Sequence, residues 1–146
     1  MATQRETDEA AIRQRIHTLV EAIRAHDLEA AMPIYAPDLV SFDFEPPLRH
    51  MGPAAKRRNW TAVFAAYQAP LDYETRDLTI TVGDDVAFGY ALARISGTLR
   101  NGTKNEYWVR WTTGFRKIDG DWFITHDQVS VPTDVQTGRA RLNLEP

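Results

Sequence analysis

The segment Asn105–Pro132, NEYWVRWTTGFRKIDGDWFITHDQVSVP, limits the possible folds more than any other stretch. Two runs rich in aromatic and β-branched residues flank a turn at Ile118-Asp119-Gly120-Asp121. An Asp-Gly turn between such runs predicts a β-hairpin. Each arm would hold about ten residues, where an ordinary strand has roughly 5–6. So long a hairpin presents an apolar face that the rest of the chain has to cover.

The covering elements can be read upstream. Ile12, Ile16, Leu19, Val20 and Ile23 fall on one helical face, with Arg13, Arg15, Glu21 and Arg24 away from it, which predicts a helix from a Thr7 cap to about Ala25. His17 lies at its flank. Asp27 can cap a shorter helix, Leu28–Tyr35, and Leu39–Phe44 then reads as a strand stopped by Glu45-Pro46-Pro47. On that strand Leu39, Ser41 and Asp43 share one face, and Val40, Phe42 and Phe44 the other. Leu48–Pro53 reads as a loop holding His50. A third helix runs from Ala54 to about Tyr67, with Trp60, Val63, Phe64 and Tyr67 at helical spacing and Lys56, Arg57 and Arg58 as a solvated basic face. Asp72–Val82 and Val86–Leu99 form a second hairpin across Gly83-Asp84-Asp85, and Asn101-Gly102 turns the chain into the first. The tail Thr133–Pro146 reads as an arm over the surface.

The expected architecture is a single α+β domain over 1–146, helices first and long antiparallel strands after. A net charge of −3 and a pI near 5.8 argue against a nucleic-acid partner. With no cysteine, thiol catalysis and zinc–thiolate sites drop out. The first residues carry no apolar signal segment, and no apolar run approaches the ~18 residues of a membrane span. A cytoplasmic protein without a membrane partner is the expectation.

The sequence resembles the nuclear transport factor 2-like superfamily, in its SnoaL-like, ketosteroid isomerase-like branch. The resemblance lies in the two opening helices joined by Ala25-His26-Asp27-Leu28, in Tyr35–Asp43, in Asp77–Phe88 and in the closing Asp119–Pro132. It implies a cone: a strongly curved antiparallel sheet wrapped around the N-terminal helices, its open end admitting a small cyclic or aromatic molecule. It also implies a homodimer through the outer sheet face. Members include isomerases, cyclases, dehydratases, hydrolases and non-enzymatic association domains, so the fold alone does not select among them.

Asp43 falls where ketosteroid isomerase keeps its catalytic base. A carboxylate in an apolar cavity grows more basic because burial disfavours its charged form. The isomerase's oxyanion donors map onto Leu19, which cannot donate, and Thr113, a neutral donor. The superfamily pattern places Phe88, Tyr90, Leu92 and Arg94 inside, together with Trp111, Thr113 and Phe115 and with Thr125, Asp127 and Val129. The candidate catalytic set is therefore Asp43, Asp127, Tyr90 and Arg94. Arg94 and Asp127 are expected either to form an internal ion pair or to serve the site, Arg94 holding a substrate carboxylate or enolate and Asp127 tuning it. The candidate substrate-binding set is Trp111, Thr113, Leu19, Phe88, Phe115, Trp60 and His50. Trp60 has packing of the third helix as its other reading, and His50 an exposed loop. His126 and Gln128 fall on the alternate face with Trp122 and Ser130. The histidines are scattered, so neither a metal nor a cofactor is called for. The expected function is general acid–base chemistry on a small molecule. A non-catalytic binding or association module is the alternative.

Overall fold

The computed structural model describes residues 1–146. Helix α1 spans Gln4–Arg24, α2 is the single turn Leu28–Ala31, and α3 spans Gly52–Ala66. The strands are β1 (Tyr35–Phe42), β2 (His50–Met51), β3 (Asp72–Val82), β4 (Val86–Thr98), β5 (Lys104–Ile118) and β6 (Asp121–Ser130). They form one open sheet in the order β2-β1-β6-β5-β4-β3, all antiparallel except β1 against β6. A small hairpin, β7 (Thr133–Asp134) with β8 (Arg139–Ala140), carries the tail.

The hairpins form where their turns predict, and the helices shift at their ends. Helix α1 starts earlier than Thr7. Thr3 caps it in a reciprocal box with Glu6, satisfying two backbone donors that would otherwise lack partners. Pro33 converts the expected second helix after one turn into the 3-10 segment Met32–Ile34, and Tyr35 already lies in β1. His50 is in β2 rather than an open loop, and it is buried.

Helix α1 lays Ile12, Ile16, Leu19, Val20 and Ile23 into the concave side of the sheet. Asp8 ties its first turns to the far end of the β5–β6 hairpin, accepting from Lys117 Nζ (3.0 Å), Trp122 Nε1 (3.1 Å) and Gln4 Nε2 (3.2 Å). Bulges curl the sheet, as an extra residue in one strand sharpens its twist. One sits in β3 at Asp77, whose φ is +58°. Another sits in β6 at Thr125, between the pairs Phe115–Ile124 and Gly114–His126. Gly97 allows the segment after α3 to cross closely, since a Cβ there would lie 2.8 Å from Leu71 and 2.9 Å from Tyr67.

One expected strand face is reversed, and a second is reversed only up to a bulge, Asp127 and Val129 lying inside as expected. In β4 the inward residues are Ala87, Gly89, Ala91, Ala93 and Ile95, while Phe88 and Tyr90 are each 50% exposed. Along β4 the inward positions are filled by small side chains and the large aromatic ones face outward. In β6 the bulge at Thr125 flips the alternation. Trp122 and Ile124 therefore point inward with Asp127, and Thr125 does not share their face.

Candidate functional site

Helix α3 carries Lys56, Asn59, Trp60 and Val63 at i, i+3, i+4 and i+7, a single helical face. That face closes the open side of the curled sheet over a cavity of about 90 Å³. Leu19, Val20 and Ile23 of α1 form its floor, and Tyr35, Tyr73, Tyr107 and Trp111 wall it from the sheet. Asp43 and Phe44 stand at its mouth, where it opens into a groove of about 370 Å³ lined by His50, Asn59, Tyr67 and Asn105.

Deep in the cavity lies a buried ion pair. Lys56 Nζ is 3.0 Å from Asp127 Oδ2 and donates to Ser41 Oγ at 2.9 Å, with both charged side chains under 5% exposed. The Ser41 hydroxyl in turn donates to Asp127 Oδ1. The register explains the cluster: Ser41 pairs with Asp127 across β1–β6 and with His50 across β1–β2. Lys56 also lies over the Tyr35 ring, 5.5 Å from its centroid. Such a pair needs its hydrogen bonds to offset the loss of water around two charges.

Asp43 has only neutral partners. It accepts from the Phe44 backbone N–H at 2.9 Å and from Asn59 Nδ2 at 3.4 Å. Asn59 Nδ2 also lies 3.5 Å from His50 Nδ1, while His50 Nε2 reaches the Glu45 carbonyl at 3.2 Å. No lysine or arginine pairs with this carboxylate.

Two tyrosine hydroxyls line the cavity with protons that no protein group accepts. Tyr35 Oη accepts from Trp60 Nε1 at 3.0 Å but donates to nothing, and Tyr73 has no protein partner. Burial holds both hydroxyls above the usual tyrosine range, and the negative charge of Asp127 adds to this. Both stay protonated as hydrogen-bond donors near neutral pH. Trp60 meets Tyr73 edge-on at 6.5 Å and stacks on Phe64 at 6.0 Å, which fixes the wall.

Of the residues expected from the sequence, the cavity gathers Asp43, Asp127, Trp111, Leu19 and Trp60, and the adjoining groove His50. Thr113 is fully buried behind the lining, its hydroxyl 3.4 Å from the His126 carbonyl, and Phe115 is in the core. Phe88, Tyr90 and Arg94 are on the outer face. Arg94 does not meet Asp127; it binds Asp72 (2.7 Å), Glu74 (2.9 Å) and Glu106 (3.1 Å) there. Asp127 takes Lys56 instead, so the basic cluster 56–58 is not wholly solvated.

Sequence reasoning missed Lys56, Ser41, Tyr35, Tyr73 and Asn59. Lys56 was detectable as the residue one turn before Trp60 on the apolar stripe. No group of three or more His, Asp or Glu side chains converges as a metal site. No helix is long and apolar enough to cross a membrane.

A model of the SnoaL-like domain family matches residues 12–134. No curated protein matches the chain. Among solved structures, an NTF2-like protein of unknown function from Pseudomonas putida is 28% identical, covers 96% of this chain and 97% of its own, and has a TM-score of 0.86. A candidate scytalone dehydratase from Novosphingobium aromaticivorans is 10% identical over 85% of this chain and 83% of its own, with a TM-score of 0.76. The association domain of C. elegans CaMKII is 17% identical over 87% and 98%, with a TM-score of 0.68. At these identities the last two likenesses concern the fold alone.

Proposed function

The chain belongs to the SnoaL-like family, and from that premise we propose that it is a cofactor-independent acid–base enzyme acting on a small cyclic or aromatic carbonyl compound. Asp43 is the base, taking a proton from carbon next to the carbonyl. Tyr35 and Tyr73 donate to the oxygen as it gains charge, the task for which Leu19 and Thr113 are unsuited. Asp43 then returns the proton at another carbon of a conjugated enolate, giving isomerisation, or passes it to a β-hydroxyl that leaves as water while the enolate collapses to the enone, giving dehydration. The observation that carries this reading is an unpaired carboxylate at the mouth of an apolar cavity holding two unclaimed hydroxyl donors. A positioned base contributes about 10²–10⁴ in rate, and one such donor about 10²–10³.

The test needs no natural substrate. Exchange of the α-protons of cyclohexanone and acetophenone in deuterated water is followed by proton NMR. The wild-type protein should accelerate exchange, Asp43→Asn should lose about 10² or more, and Tyr73→Phe should lose a smaller factor. An Asp43→Asn protein as fast as wild type would remove Asp43 from the mechanism.

A second reading has its own observation. The outer sheet face carries Phe42, Phe88 and Tyr90, each 40–50% exposed. The register sets Phe42, Gln128, Thr112 and Tyr90 in one row across the sheet. Such a face supports a homodimer, and with it a non-catalytic ligand-binding or association module. A protein that stays monomeric at high concentration would set the dimer aside.

A further inference from the structure

The charges and hydrogen bonds around the cavity select among ligands. Lys56 Nζ faces three oxygens: Ser41 Oγ at 2.9 Å, Asp127 Oδ2 at 3.0 Å and Asp127 Oδ1 at 3.2 Å. Lys56 donates hydrogen bonds to Ser41 Oγ and Asp127 Oδ1, and the Asp127 carboxylate cancels its charge. Asp43 has amide partners only. Two carboxylates stand against one ammonium in the lining, a net single negative charge. The polar capacity left over is one acceptor at the mouth, Asp43, and inside it the hydroxyl donors of Tyr35 and Tyr73 with the indole N–H of Trp111.

We infer that this site takes an uncharged single-ring carbonyl compound, entering oxygen first, and rejects ring carboxylates. An anion would lose its water without meeting an uncompensated cation, while Asp43 and Asp127 repel it. An ammonium offers no acceptor to the two hydroxyls. Size fits one ring: a water needs roughly 10–15 Å³ on this measure, so the cavity of about 90 Å³ holds the bulk of a single substituted ring. Anything longer leaves past Asp43 into the groove.

This deepens the acid–base reading and rests on it only for where the ligand sits. The test is equilibrium binding at neutral pH, read by the fluorescence of Trp60 and Trp111 and by ligand-observed NMR. Four probes share a ring and a size: acetophenone, benzoate, benzylammonium and ethylbenzene. Acetophenone should bind roughly tenfold or more tighter than benzoate, and also tighter than benzylammonium. Tyr73→Phe should weaken acetophenone and leave ethylbenzene, which has no acceptor, unchanged. Equal or tighter binding of benzoate overturns the inference, and so does a preference for benzylammonium. Equal losses of acetophenone and ethylbenzene in Tyr73→Phe would mean packing alone. If this selectivity holds while no α-proton exchange occurs, the acid–base reading fails and the ligand class stands.

Discussion

Replacing Lys56 by Met should cost more stability than any ion-pair change on the surface. Both partners are shielded, at 4% and 3% side-chain exposure. The substitution leaves the Asp127 carboxylate in place with Ser41 as its remaining donor. Removing one member of a buried pair costs roughly 3–5 kcal/mol, because the survivor stays desolvated and uncompensated. Domain stability is only about 5–15 kcal/mol in total. At roughly 2–4 °C per kcal/mol for this size, Tm should fall by about 6–20 °C. Urea unfolding followed by tryptophan fluorescence and far-ultraviolet circular dichroism gives the value, with an unchanged m excluding an altered end state. The triple variant Ser41→Ala/Lys56→Met/Asp127→Leu removes every polar member of the cluster. It should recover most of the loss, since apolar replacements of buried pairs are often neutral or stabilising. A Lys56→Met protein within about 1 kcal/mol of wild type, as an exposed pair would give, would refute the claim that this pair is desolvated and structural.

Asp8 gives the fold an acid-sensitive tie. The hydrogen bond from Lys117, and next that from Trp122, hold its carboxyl below the usual range. Its contribution is therefore present above the unfolded value of about 3.9 and disappears as pH falls through the lower folded value. Asp8→Asn should remove this part of the acid dependence in melting curves between neutral and strongly acidic pH; a curve parallel to wild type throughout would contradict it. On the outer face, Phe88→Glu combined with Tyr90→Lys should shift a dimer to monomer in sedimentation velocity while leaving α-proton exchange intact. A dimer that survives the double change lies elsewhere.

Much of the architecture was legible because the local signals agreed. Turn residues marked Gly83–Asp85, Asn101-Gly102 and Asp119-Gly120, and the apolar stripe of α1 has a clear period. Strand faces were harder. In β4 both faces are apolar, one Ala/Gly and the other Phe/Tyr/Leu, and hydrophobicity favours the larger set, whereas the inward positions hold the smaller. The β6 bulge has no sequence mark, so plain alternation placed Trp122 outside. Asp43 and Asp127 are legible as cavity-lining residues because the strand pattern and the resemblance both indicate them. Tyr35 was obscured by its apparent place in a helix that Pro33 cuts short, and Tyr73 by a strand whose inward face only the Asp77 bulge decides. Lys56 reads as surface because it begins a run of three cations, although its spacing to Trp60 and Val63 puts it on the buried stripe.

The most direct measurement is a crystal structure of the protein with acetophenone bound. The account predicts the ring between Trp60 and Trp111, the carbonyl oxygen within about 2.7–3.2 Å of the Tyr35 and Tyr73 hydroxyls, and the methyl carbon facing Asp43. A ligand bound outside this cavity, or one with its oxygen turned to solvent and no contact to either tyrosine, would contradict it.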